Sequence, residues 1–295
     1  MKPLDTAGED SLSRLPRALT IAGFDPSGEA GVLADAKTFA AFGFHASAAI
    51  TSITFQNRAC VFGAIHQSGE AVRAQVMPLL DDYKIVCSKI GMLPTSEVVR
   101  EVARLFRETD LPSPVVDPVI TSTSGQRLME EDALNSLISQ LLPVARLITP
   151  NIPEAEQLTG MSITSEPEMR QAAAMIRTLG ARAVLIKGGH MGEQKAGDRR
   201  QEAGGRRQNA ERRSGGDKDD EKFSLIRESI DVLDNEGRVT VFRERRVLGG
   251  ELHGSGCLLS AAIAAGLGKG TTLEDSVSTA KRFVWEAIRN ASVGQ

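Results

Sequence analysis

The sequence predicts an α/β protein built on a largely parallel sheet with helices on both faces. Three observations carry that expectation. Short apolar runs alternate with segments of helical period along most of the chain. Chemistry-bearing residues recur at or just past the ends of those runs. A glycine-bearing loop, Leu252-His253-Gly254-Ser255-Gly256-Cys257, feeds directly into the apolar stretch Leu258–Ile263.

The elements follow in order. Ala18–Ala22 reads as a buried strand, and Ala30–Phe42 as a helix that Gly43 can cap. Ser47–Thr54 is a second apolar run. After Ser68, Val72, Val76 and Leu79 share a helix face, with Pro78 expected to shorten or kink it. Ile85–Ile90 is strand-like. Thr95 or Ser96 can cap a helix carrying Val98, Val99, Val102, Leu105 and Phe106. Pro114-Val115-Val116 leads into Asp117-Pro118. Glu130–Leu142 is helical, Leu147–Thr149 a strand, Glu166–Leu179 a helix closed by Gly180, and Ala183–Lys187 a strand. Ser229–Leu233 and Arg238–Val247 suit a hairpin turning at Asn235-Glu236-Gly237. Ser255–Leu267 and Leu273–Asn290 are the last helices. Strands alternating with helices imply βαβ units and a largely parallel sheet covered on both faces.

Composition excludes several classes. The 295 residues are 41% hydrophobic and 25% charged, as in a soluble globular protein. A net charge of −3 and a pI near 5.9 give no basic footprint for nucleic acid or an anionic membrane. Cys60, Cys87 and Cys257 lack the paired spacing of a disulfide framework or zinc knuckle. Met1–Pro16 is polar and is expected to be a flexible tail without a signal-peptide core. No apolar run is long enough to span a bilayer. A reducing cytoplasm is the expected compartment, and residues 17–291 are expected to form one domain. Gly192–Glu221 is rich in Gly, Arg, Gln, Asp and Glu, so it is expected to be a disordered surface insertion.

The candidate site lies along one sheet edge. Asp25 follows the first strand and Gln56-Asn57 the second. Met92 follows Lys89-Ile90-Gly91, while Asp117, Asn151 and Lys187 stand at later strand ends. Ligands of open parallel sheets bind at that edge. The Gly254–Cys257 segment would present first-turn N–H groups to an anion, with glycines admitting a phosphate closely. A cysteine there can be a thiolate, its pKa lowered by the helix end. The same segment also suits a turn before a core helix, with Cys257 as a small buried apolar group. Asn151 and Glu154 could be simply a helix cap and a first-turn carboxylate, Asp117 a pre-proline turn residue and Met92 core filling.

The ordered motifs resemble the hydroxymethylpyrimidine/phosphomethylpyrimidine kinases of thiamine synthesis. The resemblance begins at Gly23-Phe24-Asp25-Pro26-Ser27-Gly28-Glu29-Ala30-Gly31 and Ala34-Asp35-Ala36-Lys37-Thr38-Phe39. It continues through Lys89-Ile90-Gly91-Met92-Leu93, Asp117-Pro118-Val119 with Ser124-Gly125, and Thr149-Pro150-Asn151-Ile152-Pro153-Glu154-Ala155-Glu156. Lys187-Gly188-Gly189-His190 and His253-Gly254-Ser255-Gly256-Cys257 complete it.

The resemblance implies a three-layer α/β/α ribokinase-like fold with a largely parallel central sheet. It also implies ATP-dependent phosphorylation of 4-amino-5-hydroxymethyl-2-methylpyrimidine and of its monophosphate. By that resemblance Cys257 is the general base and Gly254, Ser255 and Gly256 cradle the transferring phosphoryl group. Asp25, Gln56 and Met92 surround the pyrimidine. Asp117, Asn151, Glu154 and Lys187 face ATP, with Asn151 and Glu154 organising Mg²⁺ through water. A homodimer is what the family suggests. Three places depart from the family pattern: Glu29 and Thr123 replace the usual Gly and Lys, and Leu248-Gly249-Gly250-Glu251-Leu252 replaces a polar lead-in. Pyridoxal kinase of the same cysteine-bearing type, and a catalytically weak pyrimidine sensor, are the alternatives.

Overall fold

The structure, a computed structural model, describes residues 15–57, 60–122, 125–189, 228–245 and 253–293. Most of the N-terminal tail, Thr123, Ser124, His190, the 192–221 insertion and the Leu248–Leu252 lead-in lie outside the described residues.

Strands β1 (Arg17–Phe24), β2 (His45–Gln56), β3 (Val61–His66), β4 (Ile85–Ile90), β5 (Val115–Val116), β6 (Leu147–Ile148), β7 (Ala183–Lys187), β8 (Glu228–Asn235) and β9 (Arg238–Arg245) form one sheet. Its order is β3-β2-β1-β4-β5-β6-β7-β8-β9. The six central strands, β2 to β7 in that order, run parallel, while β3 and the β8–β9 hairpin pair antiparallel at the two edges. The expected largely parallel sheet is therefore present.

Helices α1 (Gly31–Ala41), α2 (Gly69–Asp82), α3 (Ser96–Glu108), α4 (Glu131–Ser136), α5 (Ile152–Thr159), α6 (Glu166–Thr178), α7 (Ser255–Gly268) and α8 (Leu273–Val293) cover it. Helices α2 to α6 build one core, in which Val72, Val102, Leu137, Ala155 and Ala172 are fully or almost fully buried. Helices α1, α7 and α8 build the other around Phe39, Ile263 and Val277. Two cores on opposite faces of one sheet make the three-layer arrangement.

Some boundaries differ from the sequence reading. Helix α2 runs on past Pro78 to Asp82, because Val72 and Val76 anchor it in the core and Leu79 packs against them. The expected helix Glu130–Leu142 changes winding after Ser136: Leu137–Leu141 is a π turn and Leu142–Val144 a 3-10 turn. The wider turn keeps Leu137 and Leu141 buried, and Pro143, which lacks an N–H, falls where the helix ends. Strand β3 was not expected. Its Val-Phe-Gly-Ala-Ile-His sequence is short, glycine-interrupted and exposed at Phe62 and Ile65.

Candidate active site

Parallel strands turn their carboxyl ends to one side, so the loops after β1, β2, β4, β5, β6 and β7 share an edge. Beside β1 the order of strands reverses, β2 lying on one side and β4 on the other. At that crevice three expected substrate residues meet. The Asp25 carboxylate is buried and accepts from the Ser27 N–H at 2.9 Å, the Ser27 hydroxyl at 2.8 Å and the Ala30 N–H at 2.9 Å. The Gln56 side chain donates to it as well. Burial opposes its charge, but these donors hold the carboxyl below its ordinary value. Asp25 thus shapes its own loop and orients Gln56. Met92 is buried beside Gly23, where an added Cβ would lie 3.1 Å from its Sδ.

The second group stands at the ends of β5, β6 and β7. Asp117 Oδ1 lies 2.8 Å from Lys187 Nζ and 3.3 Å from Thr149 Oγ1. Burial works against the Asp117 charge, yet Lys187 and Lys89 keep its carboxyl below the usual value. Lys187 is correspondingly raised: burial opposes its charge, and Asp117 and Glu154 outweigh that cost.

Asn151 and Glu154 form a complete capping box on α5. Asn151 Oδ1 accepts from the Glu154 N–H at 2.9 Å, and Glu154 Oε2 accepts from the Asn151 N–H at 2.8 Å. Glu154 Oε1 accepts from the Ile120 N–H at 3.3 Å. Burial, reinforced by Asp117, pushes the Glu154 carboxyl up, although Lys187 pulls the other way. The cap reading of this motif therefore holds, and the same carboxylate also braces the loop after Asp117. Val119 in that loop has a φ of 37°, a strained value for a β-branched residue.

The amino end of α7 joins the two groups. Gly254 has φ 77° and caps α7 without a side chain. A Cβ there would lie 2.0 Å from the Glu29 carbonyl oxygen, so the α7 cap sits against the loop that follows Asp25. A Cβ on Gly256 would lie 3.1 Å from Lys187 Nζ and 3.6 Å from Asp117 Oδ2. The Cys257 sulfur receives the Gly31 N–H at the start of α1. First-turn N–H groups and the positive helix end thus stand between the loop after Asp25 and the Asp117–Lys187 pair.

One expectation is corrected here. The Cys257 pKa is raised, not lowered. Burial pushes the thiol up to about 11; Asp117 and Asp35 add to the rise, and Lys89 and the Gly31 N–H offset only part of it. Desolvation of the anion is the largest cause. The residue itself stays partly exposed.

Charged residues that the sequence reading left without a role also belong to this region. Lys89 and Asp35 are both fully buried, with Nζ 2.9 Å from each carboxylate oxygen. A lysine inside the mostly apolar run Ile85–Ile90 was the signal in the sequence. Among the described residues no group of three or more His, Cys, Asp and Glu is arranged to hold a metal ion. The Glu154 oxygens and Asn151 Oδ1 are engaged by backbone N–H groups, so a metal at these residues would be held through water.

A family profile described as phosphomethylpyrimidine kinase matches residues 25–295. The chain belongs to the phosphomethylpyrimidine kinase family. The hydroxymethylpyrimidine/phosphomethylpyrimidine kinase of Streptomyces coelicolor is 38% identical over 92% of this chain and 88% of that protein. The enzyme of the same name from Rhizobium meliloti is 40% identical over 93% and 91%. The crystal structure of phosphomethylpyrimidine kinase from Clostridium difficile superposes with TM-score 0.72 at 32% identity, covering 92% of this chain and 99% of that one. A pyridoxal kinase from Staphylococcus aureus in complex with ADP gives TM-score 0.76 at 27% identity, covering 94% and 89%. The fold is thus that of the phosphomethylpyrimidine and pyridoxal kinases. Among the described residues no helix is long and apolar enough to cross a membrane.

Proposed function

We propose that this protein transfers the γ-phosphoryl group of ATP to the hydroxymethyl oxygen of 4-amino-5-hydroxymethyl-2-methylpyrimidine, and then phosphorylates the monophosphate, in thiamine biosynthesis. The observation that carries this reading is the placement of Gly254 and Gly256. One meets the loop after Asp25 and the other lies over Asp117 and Lys187. A phosphoryl group in transit between a pyrimidine on one side and a nucleotide on the other would pass the α7 amino end.

Each step has a residue suited to it. Gln56, oriented by Asp25, can donate to and accept from an aminopyrimidine edge. Met92 offers a polarizable surface to a flat ring. Cys257 takes the proton of the attacking hydroxyl as the O–P bond forms and the bond to the ADP oxygen breaks. The N–H groups of Gly254, Ser255, Gly256 and Cys257 stabilise charge on the transferring group. Lys187 neutralises nucleotide phosphate, with Asp117 fixing its ammonium. Asn151 and Glu154 would hold Mg²⁺ through water, and the ion would screen the phosphate charge.

Pyridoxal is the rival substrate, favoured by the likeness to pyridoxal kinases at 27–30% identity. The relatives named for hydroxymethylpyrimidine share 34–40% over most of the chain, which favours the pyrimidine. A cytoplasmic setting belongs to the same reading. So does a homodimer, for which the exposed Ile53, Phe55 and Ile65, on one face of the β2–β3 hairpin, provide an apolar patch. ADP release with Mg-ATP, comparing the hydroxymethylpyrimidine, its monophosphate and pyridoxal, tests the assignment. Turnover of the first two is expected; turnover of pyridoxal alone identifies the rival, and turnover of none the sensor.

A further inference from the structure

A fully buried ion pair lies in the layer between β4, α1 and α7. Lys89 points from β4 to the side that carries Cys87, against which the α7 residue Gly268 packs: a Cβ there would lie 2.9 Å from the Cys87 sulfur. Its ammonium reaches the carboxyl end of the strand, where a Cβ on Gly91 would lie 2.8 Å from Nζ. Asp35 comes from α1, one turn beyond Gly31, whose N–H points at the Cys257 sulfur. Asp35 accepts from Lys89 through both oxygens at 2.9 Å and from Thr20 Oγ1 at 2.6 Å. The three hydrogen bonds it accepts, from two donor groups, favour the ionised carboxylate, although burial pushes the Asp35 carboxyl up.

Such a pair is a poor device for stability alone. Desolvating both charges costs about what their attraction returns, and apolar side chains of the same volume commonly serve a fold as well or better. Here the pair adjoins a thiol that must lose its proton. The charged groups facing Cys257 are Lys89 from β4, Asp35 from α1, Asp117 after β5 and Lys187 from β7. Asp117 and Asp35 oppose the thiolate, whereas Lys89 favours it more strongly than Asp35 opposes it.

We propose that Lys89 is a positioning residue for the transfer, its ammonium fixed by Asp35 so that it biases the Cys257 sulfur toward the thiolate from the protein interior. This rests on Cys257 serving as the base. Asp35 then has two opposed effects: it keeps Lys89 charged and in place, and it moderates the field that Lys89 exerts. Burial opposes the Lys89 charge, and Asp35 nonetheless holds its pKa well above the ordinary lysine value.

The test is the rate of Cys257 alkylation by iodoacetamide between pH 7 and 9, followed by peptide mapping of the full-length protein. In that range the rate reports the thiolate fraction. Lys89→Met is expected to slow alkylation at pH 8 by about threefold or more. Slowing is the mark of an electrostatic role, because mere loosening of the core would speed the reaction. A faster or unchanged rate overturns the proposal. If that variant fails to fold, the double variant Lys89→Met/Asp35→Leu leaves no unpaired charge. It is expected to fold and to alkylate more slowly than the native protein, and an unchanged rate overturns the proposal. The measurement needs no substrate, so it stands apart from the kinase assignment: loss of the alkylation effect with turnover intact refutes Lys89 alone, and turnover retained in Cys257→Ala refutes the base.

Discussion

The Lys187 ammonium lies 2.8 Å from Asp117 Oδ1, and the backbone of Gly256 passes over both groups. This contact ties the last parallel strand to the loop after β5. Because Asp117 is almost completely buried, its charge depends on Lys187. Asp117→Asn should cost stability at neutral pH, up to about 3–5 kcal/mol, since a buried lysine loses its partner. The sign follows from the depressed pKa of Asp117. Its contribution is fully present above the unfolded carboxylate value and is lost as pH falls through the lower folded value. The gap between native and variant in urea melts should therefore narrow only at acid pH. A gap constant from pH 7 to 3 would contradict the ion-pair account.

Cys257→Ala should leave the fold intact and lower kcat by about 10²–10⁴-fold, the usual contribution of a general base. The elevated thiol pKa adds a pH signature. With Cys257 near 11, the thiolate is scarce at neutrality and grows with pH. Native kcat/KM should therefore climb between pH 7 and 10, and the climb should vanish in the variant. More than about a third of native turnover in Cys257→Ala removes the sulfur from the mechanism.

The two glycines of the α7 cap should separate fold from chemistry. Gly254 has a left-handed backbone, and a Cβ there would meet the Glu29 carbonyl oxygen at 2.0 Å. Gly254→Ala should lower the melting temperature, with at least about 1–3 kcal/mol from backbone strain alone. Gly256 is helical, and its added Cβ would press on the end of a lysine at 3.1 Å. Gly256→Ala should melt nearly as the native protein does while losing kcat. Equal thermal damage in the two variants would place Gly256 in the scaffold instead.

Much of this was legible in the sequence, for reasons that differ by element. Ile85–Ile90 and Ala183–Lys187 are the strands the apolar runs mark, because buried parallel strands need continuous apolar sequence. The edge residues Asp25, Gln56, Asp117, Asn151 and Lys187 were visible because parallel topology puts every strand end on one side. Other features depend on packing that no local pattern encodes. The rise in the Cys257 pKa comes from burial, with Asp117 and Asp35 adding to it, whereas the helix end alone suggested a fall. Asn151-x-x-Glu154 was ambiguous because one spacing serves both a cap and a metal-facing pair. The Lys89–Asp35 contact spans 54 residues, beyond any periodicity.

The substrate and metal assignments should respond to different variants. Gln56→Ala removes the side chain that bridges Asp25 to the crevice, so KM for the pyrimidine should rise with little change in the KM for ATP. Glu154→Gln keeps an acceptor for the Asn151 N–H but loses the charge, so the Mg²⁺ concentration for half-maximal rate should rise. Steady-state titrations of each ligand separate the two, and a Gln56→Ala effect confined to ATP would reverse the assignment.

The last prediction concerns the segment 192–221, which lies between β7 and β8 in the sequence. β7 and β8 are antiparallel partners, with Lys187 opposite Asp231. The Gly188 N–H donates to Asp231 Oδ1 at 2.9 Å, and Lys281 Nζ lies 2.6 Å from Asp231 Oδ2. A Cβ on Gly188 would meet the Ile230 carbonyl oxygen at 2.1 Å, so chain leaving β7 is held tightly against β8. Chain leaving β7 and chain entering β8 therefore lie side by side, the geometry that a short hairpin loop closes. Shortening a long connection lowers the closure entropy only slightly, because that cost grows with the logarithm of length. Replacing 192–221 with a short Gly-Ser link should leave the melting temperature within a few degrees of native and preserve most kinase activity. A folded but inactive product would mean that the segment contributes to the nucleotide side of the site. Loss of folding would mean that it completes the β7–β8 edge.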